Sequence, residues 1–499
     1  MSNSKTKYLC LLAAGCGVAS VLFGASAARA QQTAIVTIDD GAPLGRVPKE
    51  AFGLNTSVWD GHLADAGVAA DLRSLGLTAM RYPGGSTSDD YHWQVHNTTP
   101  PHTSNFPANT DFDHYMALMR SEGFDPIITV NYGSNAEGTG GGDPSEAAAW
   151  VKYANVTKGY GVKYWEIGNE VYGNGYYGGA WETDLHAPPG TPQSSRLANP
   201  ALSPTAYANN VLAYLSAMKA VDPTIKVGVV LCAPTVWPDG QPPQDWNSTV
   251  LGICGRKIDF VCVHWYPENP GHESNEHLLA SPAQIPAMAE KLHAQILQYC
   301  GGNASNVEYM VTETNSVSSR PGKQSVGIVN ALFEVNDYLE WLENGAESVD
   351  WWQLHNGPSN GNEDPALYGT ADYGDYGILS NGDGHEPPAE TPYPSFYGLQ
   401  ILQHLERQGD EMLAAVSDSP MITAHAARGN KRRLGVILVN TDPTNGYAVR
   451  LMLKSGKAAG KRATIYSYGP SSDQIATSEV SDGSTIAVPA YSIVAVETR

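Results

Sequence analysis

Charged residues are scarce in this chain. Asp, Glu, Lys and Arg make up 16% of its 499 residues, against about 25% in an average globular protein. Basic residues are the scarcer kind, because 30 Lys and Arg face 51 Asp and Glu, which leaves a net charge of −21. An acidic surface repels the phosphates of nucleic acids, so we expect no nucleic-acid partner. The hydrophobic fraction of 42% is large enough for a packed core and excludes a disordered chain.

Several sequence patterns that define other enzyme classes are absent. The chain has no H-E-x-x-H pattern, which argues against a metalloprotease. It also lacks the C-x-x-C spacing that holds metal ions. We therefore predict an enzyme without a metal and without a cofactor, if it is an enzyme at all.

Cysteine is infrequent, with six residues in the whole chain. Two of them lie within the first 30 residues, and the other four are Cys232, Cys254, Cys262 and Cys300. An even number in an exported protein permits one or two disulfides, for which three pairings of four cysteines exist. Buried thiols are the alternative that the spacing leaves open.

The N-terminus has the pattern of a secretory signal peptide. Lys5 and Lys7 precede an apolar run over residues 8–23, and Ala28-Arg29-Ala30 forms a cleavage site. A lipoprotein box at residues 13–16 is the weaker alternative. No other apolar run approaches the roughly 20 residues that span a bilayer. We expect residues 1–30 to be a signal peptide and the mature protein to be secreted or periplasmic, without a membrane segment.

Short apolar runs alternate with amphipathic segments over the next part of the chain. Two of the amphipathic segments follow Ser203-Pro204 and Ser281-Pro282, a pairing that caps a helix and starts its first turn. The eight strand candidates are residues 52–55, 79–82, 127–131, 164–169, 227–231, 260–264, 309–312 and 349–352. This alternation predicts a (β/α)8 TIM barrel, an α/β fold, over residues 51–407. A doubly wound open sheet is the alternative, but no glycine-rich phosphate loop follows the first strand.

The last part of the chain has a different sequence pattern. Residues 408–499 contain β-rich runs that are separated by turns such as Asn445-Gly446 and Asp482-Gly483. We predict a β-sandwich for this region. The apolar stretch at residues 34–38, within residues 31–50, is predicted to add an N-terminal strand to that sandwich.

Polar and aromatic residues follow most of the predicted barrel strands. Active sites of TIM barrels lie at the C-terminal ends of the strands. The residues at these ends are Asn55, Arg81, Asn131, Asn169, Glu170, His264, Glu313, Trp351 and Trp352. Because so many strands end in this way, we expect the side chains to converge on one site.

Two of these residues are carboxylic acids, Glu170 and Glu313. Glycoside hydrolysis needs such a pair, an acid for the leaving oxygen and a carboxylate opposite it. We predict Glu170 as the acid/base, with a pKa raised by burial, and Glu313 as the nucleophile. Asn169 would donate to the sugar 2-hydroxyl. Arg81 and His264 would hold Glu313 ionised and oriented.

Aromatic side chains stack on the apolar faces of sugar rings. We assign Trp181 and Trp351 to the cleft for this reason, and we expect most other tryptophans to pack in the core. The acidic loop at residues 361–377 lacks the ligand ladder of a calcium loop, so a structural loop is preferred over a Ca²⁺ site.

Three segments together resemble clan A glycoside hydrolases, and among them the α-L-arabinofuranosidases. They are MRYPGGSTSDDYHW at residues 80–93, ITVNYG at 128–133 and KYWEIGNE at 163–170. The resemblance implies a retaining (β/α)8 enzyme with a sandwich built from both chain ends. It also implies substrate contacts by Arg81, by His264 and Tyr266 after the sixth strand, and by a Trp after the eighth.

Two segments depart from that family pattern. The family usually has Asp-Glu-Trp-Asn around the nucleophile, whereas this chain has TETN at residues 312–315. The loop VYGNGYYGGAW at residues 171–181 also differs from the usual continuation. Both lie beside the reacting sugar, so they affect the substrate more than the mechanism.

The sequence therefore favours a secreted retaining glycoside hydrolase that acts on plant-type polysaccharide or its oligosaccharides, most similar to α-L-arabinofuranosidases. An endo-β-glycanase, or a β-xylosidase or glucuronidase-like enzyme of the same clan, is the alternative. A non-catalytic carbohydrate-binding protein is the alternative from another class. The sugar, exo or endo action and the oligomeric state are left open.

Overall fold

Eight parallel strands close into a barrel in the computed structural model, which describes residues 32–99, 104–360, 364–405, 407–429, 433–456, 462–481 and 485–498. The first eleven strands are β1 (Gln32–Arg46), β2 (Phe52–Asn55), β3 (Ala79–Tyr82), β4 (Tyr91–His92), β5 (Asn97–Thr98), β6 (Asp125–Val130), β7 (Tyr164–Ile167), β8 (Lys226–Val230), β9 (Phe260–Trp265), β10 (Glu308–Thr314) and β11 (Val349–Trp351). The barrel runs β2-β3-β6-β7-β8-β9-β10-β11 and closes back on β2. The predicted TIM barrel is confirmed.

The barrel strands are short because they are buried on both faces. Every residue of β2, β3 and β7 is buried, since side chains alternate between the barrel interior and the surrounding helices. A strand buried in this way is a continuous apolar run. That is why all eight could be located from the sequence.

Ten α-helices connect or flank the strands. They are α1 (Val68–Leu75), α2 (Phe112–Glu122), α3 (Pro144–Val151), α4 (Gln193–Arg196), α5 (Pro204–Val221), α6 (Trp246–Cys254), α7 (Asn275–Ala280), α8 (Ile285–Tyr299), α9 (Ile328–Glu343) and α10 (Pro394–Leu402). Among the described residues, no helix has the length and hydropathy needed to cross a bilayer.

One of the two predicted helix starts is confirmed and the other is displaced. The Ser203 hydroxyl accepts from the backbone N–H of Ala206 and caps α5. Ser281 instead donates to the carbonyl of Leu278, and residues Ser281–Gln284 form a 3-10 turn before α8 begins at Ile285. The Ser-Pro pair therefore marks the approach to α8 and not its first turn.

The predicted sandwich is present as a second, nine-stranded sheet. Its C-terminal strands are β12 (Glu411–Ser417), β13 (Ile422–Arg428), β14 (Leu434–Asn440), β15 (Tyr447–Leu453), β16 (Ala463–Tyr468), β17 (Ala476–Val480), β18 (Thr485–Val488) and β19 (Ser492–Thr498). The predicted N-terminal strand is confirmed, since β1 lies between β12 and β15 in this sheet. The sequence analysis missed β12, β17 and β18. β17 lies at the sheet edge and is almost entirely exposed, so it has no apolar periodicity.

The four cysteines after the N-terminal segment are buried free thiols. The predicted alternatives were disulfides and buried thiols, and these four residues are buried thiols that no disulfide joins. Burial raises the pKa of Cys232 and Cys262 well above the ordinary value, because a thiolate is poorly solvated in an apolar core.

Two predictions concern residues that the structure describes in part or not at all. The predicted signal peptide at residues 1–30 lies outside the described residues, and so do residues 361–363 of the acidic loop. In the rest of that loop, Asp364 accepts from the N–H of Ala366 and Asp375 from that of Gly377. These carboxylates stabilise local turns.

A buried histidine connects the loop after β2 to the segment before α10. His355 Nδ1 lies 2.9 Å from Asp60 Oδ2, and Nε2 lies 3.3 Å from Glu390 Oε2. Burial lowers the pKa of His355, but the bonds to both carboxylates outweigh it and raise the pKa from 6.5 to about 9. The imidazolium is thus the stable form in the fold.

This pKa predicts how stability depends on pH. A raised histidine pKa stabilises the fold fully below about pH 6.5, and the contribution of about 3 kcal/mol is lost as pH rises through about 9. When the free energy of unfolding is measured in urea between these pH values, His355→Asn should lose much of the decrease with pH that the wild type shows. His385→Asn is the control, because His385 forms an exposed pair with Asp372. Equal slopes in wild type and His355→Asn would contradict the prediction.

Candidate active site

Arg81 is the centre of a buried polar cluster at the C-terminal ends of the barrel strands. Its Nε lies 2.7 Å from Glu166 Oε2, and its Nη1 lies 2.8 Å from Glu313 Oε1. Nη1 and Nη2 also donate to the side-chain oxygens of Asn55 and Asn169. The side chain is 1% exposed. Arg81 therefore links strands β2, β3, β7 and β10 at one point.

The charged groups of this cluster each have a partner of opposite charge. Burial lowers the pKa of Arg81, but Glu166 and Glu313 outweigh it and keep the guanidinium charged. Burial raises the pKa of Glu166, but Arg81 and His264 lower it by more, and the net pKa is below the ordinary value. The carboxylate is therefore ionised. Thr129 and Thr312 each donate a hydroxyl to Glu166. A buried ion pair needs this kind of complete hydrogen bonding to be stable.

His264 lies between the two predicted catalytic carboxylates. Its Nδ1 is 2.9 Å from Glu170 Oε1 and 3.4 Å from Glu313 Oε2. One oxygen of each carboxylate and this nitrogen all lie within 4.8 Å of one another. Tyr266 donates its hydroxyl to Glu313 Oε2 at 2.8 Å. The structure thus brings Arg81, Asn169, Glu170, His264, Tyr266 and Glu313 together, as predicted.

A sharp turn after β7 places Asn169 and Glu170 in the cleft. Glu170 has φ +37°, in the left-handed region that non-glycine residues seldom adopt. Gly168 has φ +75°, and a Cβ there would lie 2.6 Å from Val171 Cγ2. This turn therefore needs glycine at 168 and holds Glu170 in a strained conformation, as is common at functional sites.

The protonation of Glu170 differs from the prediction. Burial raises its pKa, but hydrogen bonds from His264, Trp181 and Tyr172 outweigh burial and lower it. Trp181 Nε1 lies 2.7 Å from Glu170 Oε2, a contact that the sequence does not reveal. Without substrate, Glu170 is thus ionised, in contrast to the predicted raised pKa.

The pKa of His264 shifts in the opposite direction to that of Glu170. Burial lowers the pKa of His264, whereas Glu313 and Glu170 raise it, and the two carboxylates prevail. For Glu313, burial and the charge of Glu170 raise the pKa against the lowering by His264 and Arg81. The imidazolium therefore bridges the two carboxylates.

The prediction for Trp351 is wrong. Its side chain is fully buried and packs against Phe333 and Tyr338, because position 351 of β11 faces the helices and not the cleft. The neighbouring Trp352 is partly exposed and lies beside the segment after β3, where its ring would be 2.7 Å from a Cβ on Gly85. A shift of one residue along a strand changes the face on which the side chain lies.

Asn131 is near the strand ends but is separate from the carboxylate pair. Its Nδ2 donates to the carbonyl of Tyr91 and to the Ser134 hydroxyl, and its Oδ1 accepts from the N–H of Ser134. The oxygen and the nitrogen of the Asn131 amide thus both form hydrogen bonds with nearby residues of the protein. The predicted substrate contact of Asn131 has no support in this geometry.

Sequence reasoning missed two carboxylic acids of the site. Glu166 is a charged residue inside the short apolar strand β7, and this unusual placement could have revealed it. Glu182 lies on the loop after β7, with its Oε1 accepting from Asn169 Nδ2 at 3.1 Å and from the Ser86 hydroxyl at 2.6 Å. Nothing in the local sequence indicates that this loop folds back onto Asn169.

Glu182 is a neutral acid in this environment. Burial, together with the charges of Asp89 and Glu170, raises its pKa well above the ordinary value. Its Oε2 is buried and has no hydrogen-bond partner among the described residues. Asn169 is therefore held by three neighbours: Arg81 on its Oδ1, Glu182 on its Nδ2 and Asp89 on its backbone N–H.

Three groups of side chains are close enough to share a metal ion, within the described part of the chain. They are Glu170, His264 and Glu313; His62, Asp65 and Glu390; and Glu340, Glu343 and His425. One imidazole and two carboxylates would suit Zn²⁺. In each group a hydrogen bond between imidazole and carboxylate already accounts for the short distances. The absence of a metal stays a prediction.

No protein-family model matches the chain. Among characterised sequences, α-L-arabinofuranosidase C of Emericella nidulans is 26% identical over 234 residues, which cover 41% of this chain and 40% of that one. The intracellular exo-α-(1→5)-L-arabinofuranosidase of Streptomyces lividans is 25% identical over 311 residues, which cover 53% of this chain and 41% of that one. The match thus spans about two fifths of the length of these relatives.

Solved structures share the fold over nearly the whole chain. An α-L-arabinofuranosidase from Thermotoga maritima, in complex with arabinose, has a TM-score of 0.69 at 18% identity and covers 93% of this chain and 100% of its own. A family 44 xyloglucanase from Paenibacillus polymyxa has a TM-score of 0.65 at 13% identity, with 93% and 99% covered.

Part of the chain is thus similar in sequence to α-L-arabinofuranosidases, and its fold is shared by a solved α-L-arabinofuranosidase and by a family 44 xyloglucanase. The resemblance predicted from the sequence is confirmed at this level.

The contact between Glu182 and Asn169 predicts a positioning role for Glu182. Glu182→Gln keeps a neutral group with an acceptor oxygen, so kcat on the aryl glycoside that the wild type cleaves fastest should stay within about threefold. Glu182→Leu removes the acceptor and frees the amide of Asn169, which should lower kcat about 10- to 100-fold. Thermal melting would show whether both variants fold equally well. A loss in Glu182→Gln as large as that in Glu182→Leu would contradict the neutral positioning role.

Proposed function

We propose that this protein is a retaining glycoside hydrolase in which Glu313 is the nucleophile and Glu170 the acid/base. The separation of the two carboxylates carries the proposal, because one oxygen of each lies within 4.8 Å of the other. Retaining enzymes have carboxyl groups about 5–5.5 Å apart, whereas inverting enzymes leave about 6.5–9.5 Å for a water molecule. The short distance between these oxygens favours the first arrangement.

In the first step, Glu313 forms a bond to the anomeric carbon while the bond to the leaving oxygen breaks. The leaving oxygen takes a proton from Glu170, which yields a glycosyl ester on Glu313 and the free leaving group. Arg81 and Tyr266 bind the two oxygens of Glu313 and orient the nucleophile. In the second step Glu170 takes a proton from water, which hydrolyses the ester and regenerates both groups.

His264 supplies the proton that Glu170 lacks in the free site. Its Nδ1 is 2.9 Å from Glu170 Oε1, a distance suited to direct transfer. When the leaving oxygen of the substrate approaches Glu170, the neutral acid becomes the favoured form and the proton moves across. Asn169 has a second amide hydrogen besides the one given to Glu182, and this hydrogen is available to the sugar 2-hydroxyl.

An α-L-arabinofuranoside in plant polysaccharide, or in oligosaccharides derived from it, is the substrate that we propose. The support is the sequence similarity to α-L-arabinofuranosidases. Endo-action on a β-glycan is the second candidate, which the fold likeness to the family 44 xyloglucanase favours. We further propose export through the N-terminal segment, on the strength of its sequence pattern.

Variants of the two carboxylates test the mechanism. Glu313→Gln should lower kcat by at least about 10⁴-fold, because no ester forms. Glu170→Ala should lose most activity on substrates with poor leaving groups but keep it on aryl glycosides with good ones. Azide should rescue Glu170→Ala and give a glycosyl azide of retained configuration, identified by NMR.

The matched control is Glu334→Gln, a buried carboxyl of α9 whose oxygens form no hydrogen bond with the described residues. Near-normal turnover by Glu313→Gln would refute the assignment. A product of inverted configuration would refute retention. A panel of aryl glycosides together with arabinan, xylan and β-glucan would identify the sugar and separate exo from endo action.

A further inference from the structure

Lys323, on the segment between β10 and α9, is a buried lysine without a carboxylate partner among the described residues. It is 7% exposed, and its ammonium donates to the backbone carbonyl of Gly369 at 3.3 Å. No Asp or Glu in the described part of the chain forms an ion pair with it. An ammonium has three N–H donors, and lysines are almost never buried unless they are paired. A positive charge in this position therefore needs a negatively charged partner.

A cavity of about 220 Å³ lies beside Lys323. It is bounded by the start of α9, by the loop after β11, by the start of α10 and by the end of β16 in the second sheet. The residues that matter for the argument are Lys323, Ile328, Tyr368, Tyr373, Tyr393 and Tyr468. Among the described residues that line the cavity, none belongs to the cluster around Arg81. The cavity is thus separate from the candidate active site.

The start of α9 adds a second source of positive potential. Gly327 precedes this helix and has no side chain that could accept from the N–H groups of its first turn. A helix of 16 residues has a dipole that is positive at the N-terminus, and backbone N–H groups at such a point bind anions. Gly327 and Ile328 line the same cavity as Lys323. The ammonium and the helix start therefore favour negative charge at one place.

Four tyrosines indicate what kind of anion fits. Tyr368, Tyr373, Tyr393 and Tyr468 line the cavity, and the hydroxyls of Tyr373 and Tyr393 lie 3.3 Å apart. Aromatic faces pack against the C–H groups of a sugar ring, and phenol hydroxyls bind its hydroxyls. The volume of about 220 Å³ is below the roughly 300–1,000 Å³ of pockets for drug-sized ligands. It therefore suits a single ring that carries one acidic group.

We infer that this cavity is a second saccharide site, which binds a uronic acid residue of a polysaccharide. The carboxylate accepts from the ammonium of Lys323 and from the first turn of α9, and the ring packs against the tyrosines. The choice of a sugar rests on the proposed function, whereas the negative charge of the ligand follows from Lys323 and α9. The site holds an acidic sugar away from the bond that is cleaved.

Calorimetric titration with glucuronate and galacturonate, and with glucose and galactose as their neutral counterparts, tests the site. We expect at least one uronate to bind the wild type at least about tenfold more tightly than its neutral counterpart. Lys323→Met keeps the apolar stem but removes the ammonium, so it should weaken uronate binding at least about tenfold and leave the neutral sugars unchanged. Lys152→Met is the matched control, because it removes the same charge from an exposed position.

Thr370→Glu is a second variant, at an exposed residue that lines the cavity. A carboxylate tethered there should compete with the ligand and lower uronate binding at least about tenfold. The inference would be overturned by a wild type that binds neither uronate, by equal uronate binding in the wild type and Lys323→Met, or by tighter binding of inorganic phosphate than of either uronate. A failure of the proposed function would appear separately, as full activity of Glu313→Gln, because these titrations need no hydrolysis.

Discussion

The ion pairs of Arg81 with Glu166 and Glu313 are the interaction on which the site depends. A buried charge is costly unless it is paired and hydrogen-bonded, and here one guanidinium on β3 binds two carboxylates and two amides from three other strands and their ends. Loss of Arg81 would leave two uncompensated buried carboxylates. The guanidinium of Arg81 therefore fixes the positions of Glu313 and Asn169 and also offsets the cost of burying them.

The charge of the whole cluster suits a cationic transition state. Three carboxyl groups, Glu166, Glu170 and Glu313, face one guanidinium and one imidazole, so the acidic groups of the cluster outnumber the basic ones. Hydrolysis of a glycoside passes through an oxocarbenium-like species, which a fixed negative site stabilises without reorganisation. Because His264 contacts both catalytic carboxylates, its proton can follow the charge as it moves between them.

The loop after β7 is where this chain departs from the arabinofuranosidase pattern, and several specific features of the site come from it. Glu182 binds Asn169, and Trp181 binds Glu170. Glycines at 173 and 179 allow the loop to pass close to the indole of Trp181. The contacts of Asn169 and Glu170 with this loop are thus particular to this chain's own sequence.

The sequence by itself determined the barrel and the second sheet and indicated the two carboxylates that we propose as catalytic, because short apolar strands and polar strand ends are local patterns. Only the tertiary structure decided which of two adjacent tryptophans is buried, in which direction the pKa values of the site shift and what Glu182 contacts. Trp351 and Trp352 differ by one position on β11, and only packing against α9 shows which face is buried. The pKa of Glu170 depends on hydrogen-bond donors from distant segments. One of them is His264, which lies 94 residues away in the chain. Local periodicity determines secondary structure, whereas side-chain direction and protonation depend on contacts that the fold alone creates.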